Sequence, residues 1–282
     1  MEKIAELQKS WEKTGKSPFF GILKSAKGES LSEALKSVSE LWKNAFDANQ
    51  EKSKVLICAD ERMLPLEGEF KVGIAGQLIL SPEDCQKRFI DDLKGKIKTV
   101  RSHSGCGAAG IAYSQLSEKE KQQSTQIASK LPLNGDVKEE MSQGDLYGAC
   151  HSHELAKKLG ANFEHVSFSA MRGNRDFHDA RMIFWSADPA FDPSILAGNF
   201  LPPHFLANGL AFGLDEKYCE EELKILSGIA LGSHGFGELF DSCSPFLVIS
   251  VGKNLEEAEK MNKIAKERLR EFGDRIKFKS LC

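Results

Sequence analysis

The chain has 282 residues, 41% of them apolar and 28% charged, with a formal net charge of −3 and a pI near 6.2. That is the composition of a globular protein long enough to bury a core, and it carries no basic excess for nucleic acid or an anionic membrane. No apolar run approaches the length of a bilayer span, and seven cysteines without framework spacing point to a reducing compartment.

The start, Met1-Glu-Lys-Ile-Ala-Glu-Leu, lacks the apolar core of a secretory signal, so the expected location is the cytoplasm, or an organelle stroma after removal of a transit peptide. Residues 1–50 read as a polar helical arm. Ser30-Leu-Ser-Glu33 matches a capping box, and Leu31, Leu35, Val38, Leu41, Trp42, Ala45 and Phe46 follow at helical spacing. That face packs on its own domain or lies across a partner subunit.

Val55-Leu-Ile57 reads as a short buried strand that ends at Cys58-Ala59-Asp60-Glu61-Arg62. A second strand is expected at about 70–80. Ser81 then caps a helix with Pro82 at its first position, running to Gly95. A third strand at 96–102 delivers His103-Ser104-Gly105-Cys106-Gly107. Strand, helix, strand in this order implies a mainly parallel β-sheet flanked by helices, an α/β fold with its site at the carboxyl ends of the strands. Both motifs fall there.

Residues 114–133 read as an exposed helix, and Gly144–Gly160 as another that carries His151 and His153. Two residues apart on a helix, those histidines point in different directions. Arg172 to Arg181 is a dense polar stretch that includes His178, read as a solvated turn. Gly232 to Gly237, with His234, lacks the order of a dinucleotide site. Phe246–Val251 is a late buried strand, an amphipathic helix covers about 254–272, and Ile276–Leu281 alternates like an edge strand. No internal repeat stands out, so residues 51–282 are expected to form one α/β domain.

Two cysteines and one histidine at two strand ends make a three-donor set: Cys58, His103 and Cys106. Thiolate sulfur and imidazole nitrogen suit Zn2+, and three protein ligands leave a fourth place for water or substrate. Asp60 and Arg62 add a charged pair beside it. A closed structural site would need a fourth ligand, for which Asp60, Cys85, Cys150 and Cys243 are the candidates.

The pair of motifs resembles the signature of the β-class carbonic anhydrases over roughly residues 50–112. The resemblance implies that Cys58, His103 and Cys106 hold zinc and that an Asp60–Arg62 dyad orients the water which the metal activates. It implies reversible hydration of carbon dioxide to bicarbonate, in a homodimer or larger homo-oligomer. The chain departs from the family at Gly73 and Ile74, where Arg and Asn are usual, and at Glu61, where Ser is common. It therefore looks like a divergent branch, similar to the algal low-carbon-dioxide-inducible chloroplast proteins. Three other functions fit the same donors. One is hydrolysis of carbon disulfide or carbonyl sulfide, and another is a zinc-bearing scaffold or bicarbonate sensor. The third, a zinc alcohol dehydrogenase, lacks its nicotinamide fingerprint here.

Overall fold

In a computed structural model, residues 52–60, 63, 65–167, 170, 182–188, 205–209, 216–232, 240–242 and 245–282 are described. The helical reading of Leu31–Phe46, and the residues Glu61, Arg62, His178, His234 and Cys243, lie outside them. The described residues are α/β and fall into two compact units, one of Glu51–Met171 and one whose described part lies in Arg172–Cys282.

The first unit holds β1 (Ser53–Ile57), β2 (Glu69–Gly73), β3 (Thr99–His103) and β4 (Asn162–Val166), all parallel, in the order β2-β1-β3-β4. Val55, Leu56 and Ile57 of β1 are fully enclosed, as a central strand covered on both faces requires. β3 is polar in sequence yet buried. Its Arg101 gives Nη1 to Glu69 Oε2 and Nε to Glu164 Oε2, each at 2.7 Å, so two carboxylates on the outer strands satisfy the guanidinium.

Helix α1 (Glu83–Leu93) buries Cys85, Phe89 and Leu93, one every turn. Pro82 stands at its N-cap and Ser81 provides no cap. The helix therefore begins one residue later than the Ser-Pro pattern predicts. The chain from β3 to β4 runs through α2 (Gly107–Ser114), α3 (Glu118–Ala128), α4 (Gly135–Glu139) and α5 (Gln143–Leu159). Capping boxes, Ser117 with Glu120 and Ser142 with Asp145, start α3 and α5. Helices α2 and α5 pack closely, and a Cβ at Gly148 would lie 2.6 Å from that of Ala109.

The second unit holds β5 (Met182–Ser186), β6 (Phe205–Gly209), β7 (Phe246–Val251) and β8 (Ile276–Leu281), again parallel, in the order β6-β5-β7-β8. Helix α6 (Glu216–Leu231) links β6 to β7, and α7 (Leu255–Arg268) links β7 to β8. All six residues of β7 are buried, and Ile276–Leu281 forms the expected edge strand. Where the sequence suggests one domain over 51–282, the strands sort into two sheets, with the unit boundary after Met171. Short apolar runs specify a strand without naming its neighbours, which is why that division is not written locally.

No helix among the described residues is long and apolar enough to cross a membrane.

Candidate metal centre

Strands β1 and β3 are neighbours in register, with Ile57 opposite Arg101. Their carboxyl ends therefore release Cys58 and His103 side by side. The chain leaves β3 through a tight turn in which Gly105 has φ +69°, and Cys106 then becomes the N-cap residue of α2. These steps bring the Cys58 and Cys106 Sγ atoms and a ring nitrogen of His103 within 4.8 Å of one another. Among the described residues it is the one group of His, Cys, Asp and Glu donors close enough to hold a metal ion. All three are buried, at 6%, 2% and 8% exposure for Cys58, His103 and Cys106.

The donors are prepared electronically. His103 gives its Nδ1–H to the Ser104 carbonyl at 2.9 Å, which leaves Nε2 as the ring nitrogen that would face an ion. Hydrogen bonding from Cys106 holds Cys58 well below the usual thiol range despite burial. Cys106, bonded to that thiolate and buried, is pushed well above it. The Gly76 amide also points at Cys58 Sγ, at 3.3 Å.

Asp60 is enclosed as well, at 4% exposure, and its Oδ2 lies 3.9 Å from His103 Nε2. It stands beside the donor group without belonging to it. Lys71 on β2, itself buried, directs Nζ at the carbonyls of Met63 (2.8 Å) and Asp60 (3.4 Å), so it braces the segment that carries Asp60.

Two further supports come from distant chain. Asp145, in the first turn of α5, accepts from the Gly105 amide at 2.6 Å and the Cys106 amide at 3.4 Å through Oδ1. Its Oδ2 takes the Ser142 hydroxyl at 2.8 Å. One carboxylate therefore caps a helix and holds the turn between two donors. The Ser-x-x-Asp pattern is legible as a cap in sequence, but its reach to residues 105 and 106 is not.

The second support is the segment after β2. Gly76, Gln77 and Leu78 all have positive φ (53°, 50° and 75°), a strained run for two residues with side chains. It persists because Gln77 is fixed on three sides. Its Nε2 donates to Arg101 O (3.2 Å), its Oε1 accepts from Ser152 (3.0 Å), and its carbonyl accepts from His151 Nε2 (2.8 Å). A Cβ at Gly76 would meet that of Ala108 at 2.7 Å.

The remaining sequence candidates fall elsewhere. Cys85 is buried on α1, and Cys150 packs with Ala128, Leu131, Met141 and Ala149, where burial pushes its thiol up to about 11. Neither joins the donor group. His151 and His153 diverge as expected: the first bonds Gln77, and the second lies with its ring centre 5.1 Å from that of Phe163. His165 on β4 was not singled out in sequence. Its ring nitrogens sit 2.9 Å from Ser102 Oγ and 3.1 Å from Ser104 Oγ, on either side of His103 in the chain.

Compared with known proteins, the chain matches no family model, no curated protein and no solved structure.

Proposed function

We propose that the chain is a zinc-dependent lyase that interconverts carbon dioxide and bicarbonate. The observation that carries this reading is the buried Cys58–His103–Cys106 group with the Asp60 carboxylate beside His103 and outside the donor set. Two sulfurs and one imidazole are a donor set that suits zinc, and three protein ligands are the number of a catalytic site. Bound there, zinc supplies a Lewis acid that lowers the pKa of a water molecule.

The chain's own groups do the rest. His103 is fixed in the right tautomer by Ser104, and Asp145 holds the His103–Cys106 turn. The Asp60 carboxylate accepts a hydrogen bond from the reacting water and so aims its lone pair. By the resemblance, Arg62, two residues on in sequence, would hold that carboxylate off the metal. Ala108 and Ala109, just past Cys106, present no polar side chain, in keeping with a small apolar substrate.

Metal analysis combined with stopped-flow carbon dioxide hydration tests this. The expected result is about one zinc per chain and measurable hydration, with Cys106→Ser losing most of the metal because a neutral hydroxyl replaces a thiolate. Full occupancy in that variant removes Cys106 from the ligand set. Zinc without hydration points to a scaffold or sensor, or to turnover of carbon disulfide or carbonyl sulfide.

A further inference from the structure

The two sheets follow one plan. Each has four parallel strands in the order second, first, third, fourth, with a helix between the second and third and helical chain between the third and fourth. That order is common among open α/β sheets and does not by itself show repetition. The first strands add an independent correspondence. Val55-Leu-Ile-Cys-Ala-Asp60 and Ile183-Phe-Trp-Ser-Ala-Asp188 run in step: three buried apolar residues, then Cys or Ser, then Ala, then Asp. Cys58 falls on Ser186, a change of sulfur to oxygen, and Asp60 falls on Asp188.

Strand register carries the match to the third strand. Ile57 faces Arg101, and Trp185, its counterpart, faces Ser250. Two residues further on, His103 corresponds to Gly252, and Ser104 to Lys253. Cys106 caps α2, whereas Asn254 caps α7 and Leu255 follows it. The position of each metal donor is thus held by Ser186, Gly252 and a residue that is not a thiol.

We infer that Arg172–Cys282 is a second copy of the metal-binding scaffold in which a lysine ammonium has replaced the ion. Lys253 Nζ lies 2.7 Å from Asp188 Oδ2, so the carboxylate that corresponds to Asp60 has a cation of its own. Ser186 Oγ is engaged by the Asp188 amide at 3.1 Å. At the histidine position there is no space: a Cβ on Gly252 would come within 2.5 Å of the Ala258 nitrogen and 2.9 Å of the Asn254 carbonyl oxygen. Backbone atoms stand where any side chain at this position would begin. In sequence the counterpart of Arg62 is Ala190, so the dyad is gone too. The chain then carries two scaffolds and one metal.

The comparison rests on the metal reading of Cys58, His103 and Cys106, and the test keeps the two separate. Zinc-edge anomalous diffraction from crystals of the full chain gives the number and place of bound ions. One peak per chain, among those three residues, is expected. Superposing β5–β8 on β1–β4 should then lay Asp188 on Asp60 and the Lys253 ammonium on the peak. In solution, Cys58→Ser/Cys106→Ser should reduce zinc from one per chain to none. A second peak within residues 172–282, or zinc retained by the double variant, overturns the inference. An ammonium that lands on the far side of Asp60 from the ion overturns it as well. No peak at all defeats the metal reading, while Asp188 landing on Asp60 still decides whether the second sheet is a copy.

Discussion

Asp60 is the residue on which the enzyme reading turns, because its carboxylate can either orient a water or become a fourth ligand. On the proposed reading, Arg62→Ala should free it to become a fourth ligand. Hydration should then fall by two to three decades, about 3–4 kcal/mol of transition-state stabilisation, with zinc content unchanged. Asp60→Asn should lose a similar amount by removing the orienting acceptor. Near-full rates in both variants, measured beside metal content, would sink the dyad. His165 makes a second prediction. Burial is the main cause that brings its pKa from 6.5 down to about 4. The unfolded chain therefore binds the extra proton first, and stability is complete above pH 6.5 and is lost as pH falls toward 4. The size is on the order of 3 kcal/mol. Chemical denaturation of chelator-stripped protein across that range should show the slope, and His165→Gln should flatten it. The donors themselves were legible in sequence, because Cys58, His103 and Cys106 sit at fixed offsets from apolar runs. His165 and Gln77 were not, since each acts on the site through partners that lie far away in the chain.

At the scale of elements, the site is a meeting of two strand ends with the start of two helices. Helix α5 contributes no donor, yet its Asp145 ties the turn after β3 to its own cap. Asp145→Ala should weaken zinc binding by roughly 10–100-fold, as loss of a group that orients ligands does. Ser142→Ala removes the capping hydroxyl and should cost about 1 kcal/mol of stability with affinity little changed. Asp145→Asn, which keeps an acceptor at Oδ1, should recover most of the affinity. Chelator competition and thermal melts on the three variants separate the two roles: equal loss of affinity in the alanine variants would leave Asp145 a cap and nothing more. Periodicity revealed α5 because it is long and β7 because five of its six residues are apolar. It missed β4, whose Asn162-Phe-Glu-His-Val166 is short, polar and half-buried, and which is a strand because β3 pairs with it.

For the whole molecule, two compact units, with the one donor group among the described residues in the first, predict an uneven response to metal. A ligand that binds only folded protein stabilises by RT ln(1 + [L]/Kd), about 2.7 kcal/mol at a hundredfold excess over Kd. Calorimetry with added zinc should raise the transition of residues 51–171 and leave that of 172–282 in place. A single transition that moves as one would show that the units unfold together. The paired sheets also bear on how the chain tolerates change. At residue 58 an exchange of sulfur for oxygen removes a donor, while at residue 186 the oxygen is already present and holds an amide. A saturation scan scored for activity should therefore find Cys58, His103 and Cys106 nearly immutable. If the second sheet is a copy, Ser186, Lys253 and Asn254 should accept any residue that preserves the fold, one strand end held by its chemistry and its counterpart free to drift.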